Sequence, residues 1–371
     1  DRGSTATRVN RDGLIETVGV DEPRIDFLNN TKGYLLLEPQ RRNDLLQSNQ
    51  FDTTWTLSSS ITLTSGQSGV FGSNDAWLLK RNSTGSRYVQ QSLSLSSATY
   101  SYSVYLKAES RNWAYVWSYD GSASVNAYFD LENGVVGNTS GSNLDSATIE
   151  SVGNGWYRCI LTYTQPTTLV RIYPANTNGN IAAGTDNGIY IQYAQLEEGS
   201  YATSIIKTSG SAVTRSADVC NNAGNSNVFN DSEGVLYWEC SSLYDDLTNR
   251  IISISQGNQN NTVQLYFDAS SNRIRGTVRA VDGTYQCILN YTVSDTTDYI
   301  KAAIKYKQND FALWVNGVER ATDASGSAPT GLSEVSFDSG SGSLDFYGKV
   351  KDVRYYNTAL SDSELQTLTQ V

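Results

Sequence analysis

The chain of 371 residues contains no histidine, no methionine and only five prolines. Because histidine is the most common general acid–base group and a frequent metal ligand, its absence disfavours His-dependent catalysis and any Cys–His metal site. The lack of methionine, including an initiator, indicates that the chain is a fragment or a processed product. No apolar run approaches the roughly 18–20 residues of a membrane-spanning helix, so we expect no membrane insertion.

Cysteine is scarce as well, and the four that are present lie far apart with no CxxC pair. They are Cys159, Cys220, Cys240 and Cys287. We interpret them as buried small hydrophobic residues rather than as a disulfide pair, although the sequence leaves their disulfide state open.

Positive charge is in the minority, with 27 Lys and Arg against 38 Asp and Glu and a net charge of −11. The basic residues are scattered singly and form no stripe for phosphates, which argues against a nucleic-acid partner and an anionic membrane surface. Gly-rich phosphate loops and EF-hand spacing are also absent, so we predict no cofactor. A structural calcium ion held by scattered carbonyls and carboxylates is compatible with the sequence.

What the chain does contain is Ser, Thr, Asn, Gly and Tyr, interspersed with short alternating apolar runs that are typical of β-strands. One run has apolar residues at even positions and the next at odd positions: Tyr102, Val104, Leu106 and Ala108, then Val125, Ala127, Phe129 and Leu131. Each such strand has one buried face. The sequence therefore predicts an all-β protein.

The length and turn pattern predict two β-sandwich modules behind an extended N-terminal arm. We assign residues 1–42 to the arm, 43–219 to a jelly roll and 231–371 to a second sandwich, with a linker at 220–230 that is rich in Asn. In the second module, the Asn-Gly pair at 316–317 predicts a hairpin turn, and a capping box at 361–364 predicts a short C-terminal helix.

Several separate sequence blocks in the arm and the first module resemble segments of a known group of proteins. Residues 4–9 (STATRV), 12–15 (DGLI), 22–26 (EPRID) and 36–46 (LLEPQRRNDLL) resemble a segment of phage tail-fibre and head-fibre proteins. Residues 102–108 (YSVYLKA), 153–159 (GNGWYRC), 195–199 (QLEEG) and 211–218 (SAVTRSAD) resemble the carbohydrate-binding-like jelly roll of the same group. The resemblance implies a virion or extracellular location, contacts with other virion proteins, and self-association, often as a trimer.

The second module resembles laminin-G-like, concanavalin A-type sandwiches through residues 313–317 (LWVNG), 346–356 (FYGKVKDVRYY) and 357–361 (NTALS). Such domains are mostly binding or packing modules, while some relatives of the fold are glycosidases or lyases. Fold alone does not decide between these functions.

Enzymes that act on glycans usually need two carboxylates at a defined separation. The ExDxE strand of concanavalin A-like glucanases is absent, and the acids at 130 and 132 are interpreted as a solvated strand edge. Glu197 is expected to order the end of its domain through a hydrogen bond or a cation. We therefore predict no catalytic residue and no enzyme, and keep a polysaccharide lyase or glycosidase as an alternative.

The strongest binding signal is the run at 111–119, whose alternation places four rings on one strand face and small apolar residues on the other. The rings are Trp113, Tyr115, Trp117 and Tyr119, opposite Ala114 and Val116. If the small residues face the core, the rings are available to stack on sugars. The alternative is that the rings form the core.

Further candidates lie in neighbouring strands. Tyr128, Arg158, Arg171 and Tyr173 are expected to face outward, where Arg and Tyr together suit an acidic or hydroxyl-rich sugar and each alone is an ordinary surface residue. In the second module, Arg273, Arg275 and Arg279 form a small basic row, suited to a sulfated or uronic polysaccharide or else an ordinary solvated face.

Together these features favour a non-catalytic, carbohydrate-binding phage fibre protein that recognises a host surface or extracellular polysaccharide. A structural virion decoration or assembly protein is the first alternative, and an enzyme on the second sandwich is the other.

Overall fold

The computed structural model describes residues 1–182, 184–185, 187–280 and 283–371 and confirms an all-β protein of two sandwiches with an extended N-terminal arm. The arm contains β1 (Ala6–Val9), β2 (Ile15–Val18), β3 (Ile25–Asp26), β4 (Tyr34–Leu37) and β5 (Arg41–Asn43). The first sandwich contains β6 (Thr56–Leu57), β7 (Ile61–Gln67), β8 (Ala76–Arg81), β9 (Val89–Ala108), β10 (Trp113–Tyr119), β11 (Ser124–Asp130), β12 (Val135–Ser140), β13 (Leu144–Gly153), β14 (Trp156–Ala175) and β15 (Asn187–Glu198), and is followed by β16 (Val213–Arg215).

The remaining elements belong to the second sandwich. They are β17 (Glu233–Ser242), β18 (Arg250–Ser255), β19 (Thr262–Phe267), β20 (Arg273–Ala280), β21 (Thr284–Thr292), β22 (Ile300–Lys307), β23 (Phe311–Val315), β24 (Val318–Asp323), β25 (Glu334–Ser336), β26 (Gly348–Tyr356) and α1 (Asp362–Thr369).

The first sandwich is made by two long strands that take part in both of its layers. Strands β9 and β14 are each 20 residues long and pair antiparallel along most of their length, with register shifts near residues 165–169. Residues 169–172 pair with the start of β9 beside β10, whereas residues 156–165 pair with the later part of β9 beside β15. The two halves therefore face each other across a common core.

That core is built from the alternating apolar positions that the sequence predicts. Val104 and Leu106 of β9, Ala127 and Phe129 of β11, and Leu161 of β14 are all fully buried. Burying a side chain such as Leu or Phe stabilises a fold by about 1.5–3 kcal/mol. The strand faces in this module are thus set by local alternation.

The second sandwich packs a seven-stranded sheet, in the order β24-β23-β22-β17-β26-β4-β3, against a five-stranded sheet, in the order β21-β20-β19-β18-β25. Its core includes the rings of Trp238, Phe267 and Phe346, with the Trp238 centroid 5.2 Å from that of Phe267 and 5.5 Å from that of Phe346. Rings at these spacings are in the range of favourable aromatic pairs.

Both local predictions for this module are confirmed. Asn316 and Gly317 have φ values of 50° and 78° and connect β23 to β24, as an Asn-Gly hairpin turn requires. Helix α1 begins after Ser361, with Glu364 completing the capping box, and buries Leu365 against β22 and β23.

The arm contacts both sandwiches of its own chain. Strands β3 and β4 extend the seven-stranded sheet, where β4 pairs with β26. Strands β1 and β2 pair with each other and place Val9 against Phe71, Tyr105 and Trp156 on the outside of the first sandwich. This position covers one outer face of the jelly roll.

A buried group of charged side chains fixes the arm where it passes between the sandwiches. Arg24 Nη1 lies 2.7 Å from Glu38 Oε2, Arg215 Nη1 lies 2.8 Å from the same oxygen, and Arg24 also pairs with Asp218. Arg2 Nη1 reaches Asp218 Oδ1 at 3.0 Å. Burial opposes ionisation, but the two guanidinium groups lower the pKa of Glu38 well below its usual range.

The remaining segments pack closely. Within 220–230, Ala223 forms a bridge to Val335, and Phe229 joins the second core. Cys159, Cys240 and Cys287 are buried, as predicted, whereas Cys220 is half-buried, and all four are free thiols. In the part of the chain that the structure describes, no helix is long and apolar enough to cross a membrane.

Candidate functional site

Strand β10 lies between β11 and β14 in the layer of the jelly roll that the arm leaves uncovered. Ala114 and Val116 are fully buried in the core, as the small-residue face predicts. The four rings of the strand are half-buried on the opposite, outer face: Trp113, Tyr115, Trp117 and Tyr119. The alternative that these rings form the core is therefore wrong.

Cross-strand pairing extends the face into a surface that we name the aromatic sheet face. In its first row, the Tyr115 centroid lies 4.5 Å from that of Tyr128 and 5.1 Å from that of Tyr173, and Tyr173 lies 5.1 Å from Tyr88. In its second row, residues from four adjacent strands stand side by side: Asn126, Trp117, Arg171 and Gln90. Trp113 and Tyr119 complete the face.

The centre of the aromatic sheet face is Arg171. Its guanidinium carbon lies 4.1 Å from the ring centroid of Tyr88 and 4.4 Å from that of Trp117, within the range of cation–π contacts. Its Nε donates to Gln90 Oε1 at 2.8 Å and its Nη1 donates to the Tyr173 hydroxyl at 3.2 Å. These contacts hold the guanidinium in one orientation.

The two outer rings of β10 are also ordered by their neighbours. Trp117 and Tyr119 stack with centroids 5.2 Å apart and an interplanar angle of 14°. The Tyr119 hydroxyl donates to the carbonyl of Gly121 at 2.7 Å. Rings fixed in this way lose little further conformational freedom when a ligand binds.

Trp113 stands apart from this stack, at the other end of β10. It packs so closely on Gly137 of β12 that a Cβ atom at residue 137 would come within 2.6 Å of its ring. Asn178 approaches the same glycine and accepts a hydrogen bond from the backbone N–H of Asn138 at 2.7 Å. Residue 137 must therefore be a glycine for Trp113 and Asn178 to pack at this edge of the aromatic sheet face.

Three of the residues predicted to face outward are buried. Tyr128 is 9% exposed and Tyr173 2%, because the rings of Tyr115 and Tyr88 cover them, so they form the floor of the aromatic sheet face. Burial raises the pKa of both phenols, which keeps their hydroxyls protonated at neutral pH.

Arg158 is the clearest correction. It lies on the outer side of the same strand as Arg171 but is only 8% exposed, and it donates to Ser103 Oγ at 3.0 Å and to the carbonyl of Thr203 at 2.7 Å. The arm and residues 200–206 cover this end of β14, so Arg158 is a buried structural residue rather than a ligand contact.

Two of the three arginines in the basic row of the second sandwich are neutralised. Arg273 and Arg275 are half-buried on the outer side of β20, as the alternation predicts, but both pair with the carboxylate of Asp268. Arg275 Nε also donates to Asn290 Oδ1 at 2.6 Å. Arg279 donates to Gln259 Oε1 at 3.0 Å and to the Tyr285 hydroxyl, and has no carboxylate partner among the described residues, so two of the three charges in the row are neutralised.

The carboxylates considered for catalysis are already used by the fold. Asp130 accepts hydrogen bonds from the backbone N–H of Glu132 at 3.0 Å and from Asn133 Nδ2 at 2.9 Å, which stabilises a turn. Glu197 accepts from the N–H of Thr203 at 2.9 Å and from its hydroxyl at 2.6 Å, confirming the predicted hydrogen-bonding role. Among the described residues, no group of three His, Cys, Asp or Glu could hold a metal ion.

Sequence reasoning missed Tyr88, Gln90 and Asn126. The sequence did contain a signal for two of them. Tyr88 and Gln90 flank the fully buried Val89, so strand alternation places both on the outer side. Asn126 alternates with Val125 and Ala127 in the same way.

Comparison with known families gives a match in the second module. A family model described as the concanavalin A-like lectin/glucanases superfamily, of the laminin G type, matches residues 240–366. Over these residues the second sandwich is similar to concanavalin A-like domains. The match begins within β17 and ends within α1, so it leaves the arm and the jelly roll unassigned.

Solved structures with similarity to the chain include three from unrelated organisms. The CBM40 module of the Ruminococcus gnavus IT-sialidase has a TM-score of 0.35 at 19% identity, covering 42% of this chain and 96% of that one. A pentraxin from Limulus polyphemus has a TM-score of 0.32 at 12% identity, covering 40% and 74%. Domains LG4-5 of the mouse laminin α1 chain have a TM-score of 0.28 at 12% identity, covering 75% and 90%.

All three TM-scores are low, so these similarities do not bear on function. The comparison with curated proteins gave no match.

Proposed function

We propose that this protein is a non-catalytic polysaccharide-binding protein and that its ligand lies along the aromatic sheet face. The observation that carries the proposal is the half-exposed row of rings on β10, fixed in place by Arg171 and backed by a fully buried apolar strand face. A contiguous row of aromatic rings that stays partly exposed on an outer sheet face is typical of a binding surface.

The chemistry of the face suits a sugar chain. Pyranose rings present apolar C–H patches that pack on aromatic rings, while their hydroxyls need hydrogen-bond partners. Trp117 and Tyr119 supply the rings, and Gln90, Asn126 and Arg171 supply donors and acceptors in the same row as Trp117. A rigid strip of this kind recognises a repeated ligand at low entropic cost.

The same residues argue against catalysis at this face. A lyase would need a tyrosine that can accept a proton from the substrate, but Tyr173, which hydrogen-bonds Arg171, is 2% exposed and has a raised pKa through burial. The carboxylates of Asp130 and Glu197 are engaged in turns and loops. We therefore propose recognition without cleavage.

We further propose that the chain is a receptor-binding part of a phage fibre that recognises a host surface glycan in a virion or extracellular setting. The support is the resemblance of separate blocks within residues 4–46 and 102–218 to fibre proteins. Self-association as a homo-oligomer and contacts with other virion proteins follow from the same resemblance.

The test is a binding screen of the full chain against bacterial and algal polysaccharides, followed by tryptophan fluorescence and calorimetry. We expect saturable binding that weakens at least about tenfold in Trp117→Ala, and also weakens in Trp113→Ala, because a central aromatic contact carries much of a binding energy. The matched control is Tyr285→Ala, which removes a 43%-exposed ring from the second sandwich and leaves affinity unchanged.

Products are checked in the same samples by ultraviolet absorbance and a reducing-end assay. Release of unsaturated or reducing sugars would replace the proposal with an enzyme. Absence of both binding and products across the panel would favour a structural virion protein.

A further inference from the structure

Arg171 places a cation at the centre of the aromatic sheet face, and no carboxylate of the described residues pairs with it. By contrast, Arg273 and Arg275 on the second sandwich are paired with the carboxylate of Asp268. Among the described residues, the polar partners of Arg171 are the neutral Gln90 and Tyr173. The positive charge is therefore uncompensated in a protein whose net charge is −11.

The guanidinium keeps hydrogen-bonding capacity for a ligand. Of its five N–H groups, one is used by Gln90 and one by Tyr173, which leaves three. The Nη2 group has no protein partner among the described residues and is not among the buried unpaired groups, so it remains reachable from solvent. Two such N–H groups match the two oxygens of a carboxylate.

The acidic residues at the ends of the face do not reach this centre in the hydrogen-bond network. Asp120, after β10, accepts from the N–H groups of Ser122 and Ala123 at 2.7 and 2.6 Å, and Asp130 closes the turn after β11. The middle of the face is left with one positive charge between aromatic surfaces.

We infer that the aromatic sheet face selects acidic polysaccharides, with Arg171 binding a carboxylate or sulfate oxyanion of one sugar while Trp117 and Tyr119 pack on its neighbours. This inference rests on the proposed function and names its ligand class. A uronic acid and a sulfate ester share the oxyanion chemistry that Arg171 recognises, and the choice of probes separates them.

The experiment compares a polyuronate, a sulfated galactan and a neutral glucan as ligands for the full chain by calorimetry. We expect binding of at least one acidic polymer, with affinity falling about 10- to 100-fold in Arg171→Gln, because a charge-assisted hydrogen bond is lost. Arg171→Lys keeps the positive charge but lacks the planar guanidinium that can donate two parallel hydrogen bonds, so we expect an intermediate loss of affinity. Arg275→Gln, in the second sandwich, is the matched control and leaves affinity unchanged.

The outcomes separate this inference from the proposed function. If the chain binds only the neutral polymer through Trp117, or if Arg171→Gln leaves acidic binding intact, the inference fails while the proposed function stands. Equal loss of acidic and neutral binding in Arg171→Gln would assign Arg171 a purely structural role and would also overturn it. If no polymer binds, both fail together.

Discussion

Glu38 is the residue on which the buried charge network depends. Its carboxylate is 3% exposed and accepts from Arg24, Arg215 and the Ser204 hydroxyl. Buried ion pairs are costly to desolvate, so intact pairs add little net stability, whereas removing one partner leaves an uncompensated charge. The network is therefore sensitive to the loss of any member.

We predict that Glu38→Gln lowers the free energy of unfolding by about 3–5 kcal/mol at neutral pH, measured by urea denaturation. Glu16→Gln is the control, because Glu16 pairs with Arg8 at the surface, where an ion pair contributes about 0–1 kcal/mol. Equal effects of the two substitutions would contradict the structural role of Glu38.

The difference in stability between wild type and Glu38→Gln is expected to depend on pH. The folded protein lowers the pKa of Glu38 below its ordinary value of 4.5, so the carboxylate contributes stability above pH 4.5 that is lost as the pH falls through the lower folded value. The difference in stability between wild type and Glu38→Gln should therefore shrink as the pH is lowered below about 4.5.

At the scale of elements, strand faces and tight turns were predicted correctly because both are local. The alternation in β10 places side chains on opposite sides whatever the rest of the chain does. Likewise, the Asn-Gly turn between β23 and β24 depends on backbone conformations that these two residues adopt readily. Local sequence is sufficient in such cases.

The hairpin offers a test at this scale. Gly317 has φ of +78°, and an added Cβ would meet its nearest atom at 3.5 Å, an ordinary contact, so the cost of Gly317→Ala comes from the backbone. We expect a loss of about 1–2 kcal/mol in unfolding experiments. Gly3→Ala, without a positive φ and with its nearest contact at 3.7 Å, should leave stability unchanged or slightly higher. A neutral Gly317→Ala would refute this account of the turn.

At the scale of the whole molecule, the arm makes the two outer faces of the jelly roll different. Val9 of the arm packs with Tyr105 and Trp156 of the jelly roll and covers one face, while the aromatic sheet face on the other side is left accessible. It also joins the second sandwich through β3 and β4. The arm thus links the modules and leaves one surface for a ligand.

We predict that Val9→Asp undocks β1 and β2, because a carboxylate without a partner is costly among Phe71, Tyr105 and Trp156. Limited trypsin digestion followed by mass spectrometry should show faster cleavage after Arg8 and Arg11. Val20→Asp makes the same change at a 52%-exposed position of the arm and should leave the cleavage rate unchanged. Equal rates for the two variants would show that Val9 does not hold the arm.

The sequence by itself determined the all-β class, the faces of individual strands, the hairpin and the capped helix, because each follows from alternation or from local backbone preferences. It also placed the rings of β10 together. Only the tertiary structure decided which strand faces are covered by other segments and which side chains contact each other. Arg158 and Arg171 lie on the same outer side of β14, yet packing by the arm buries one and leaves the other within the aromatic sheet face. Such contacts join residues far apart in the chain, and strand periodicity carries no information about them.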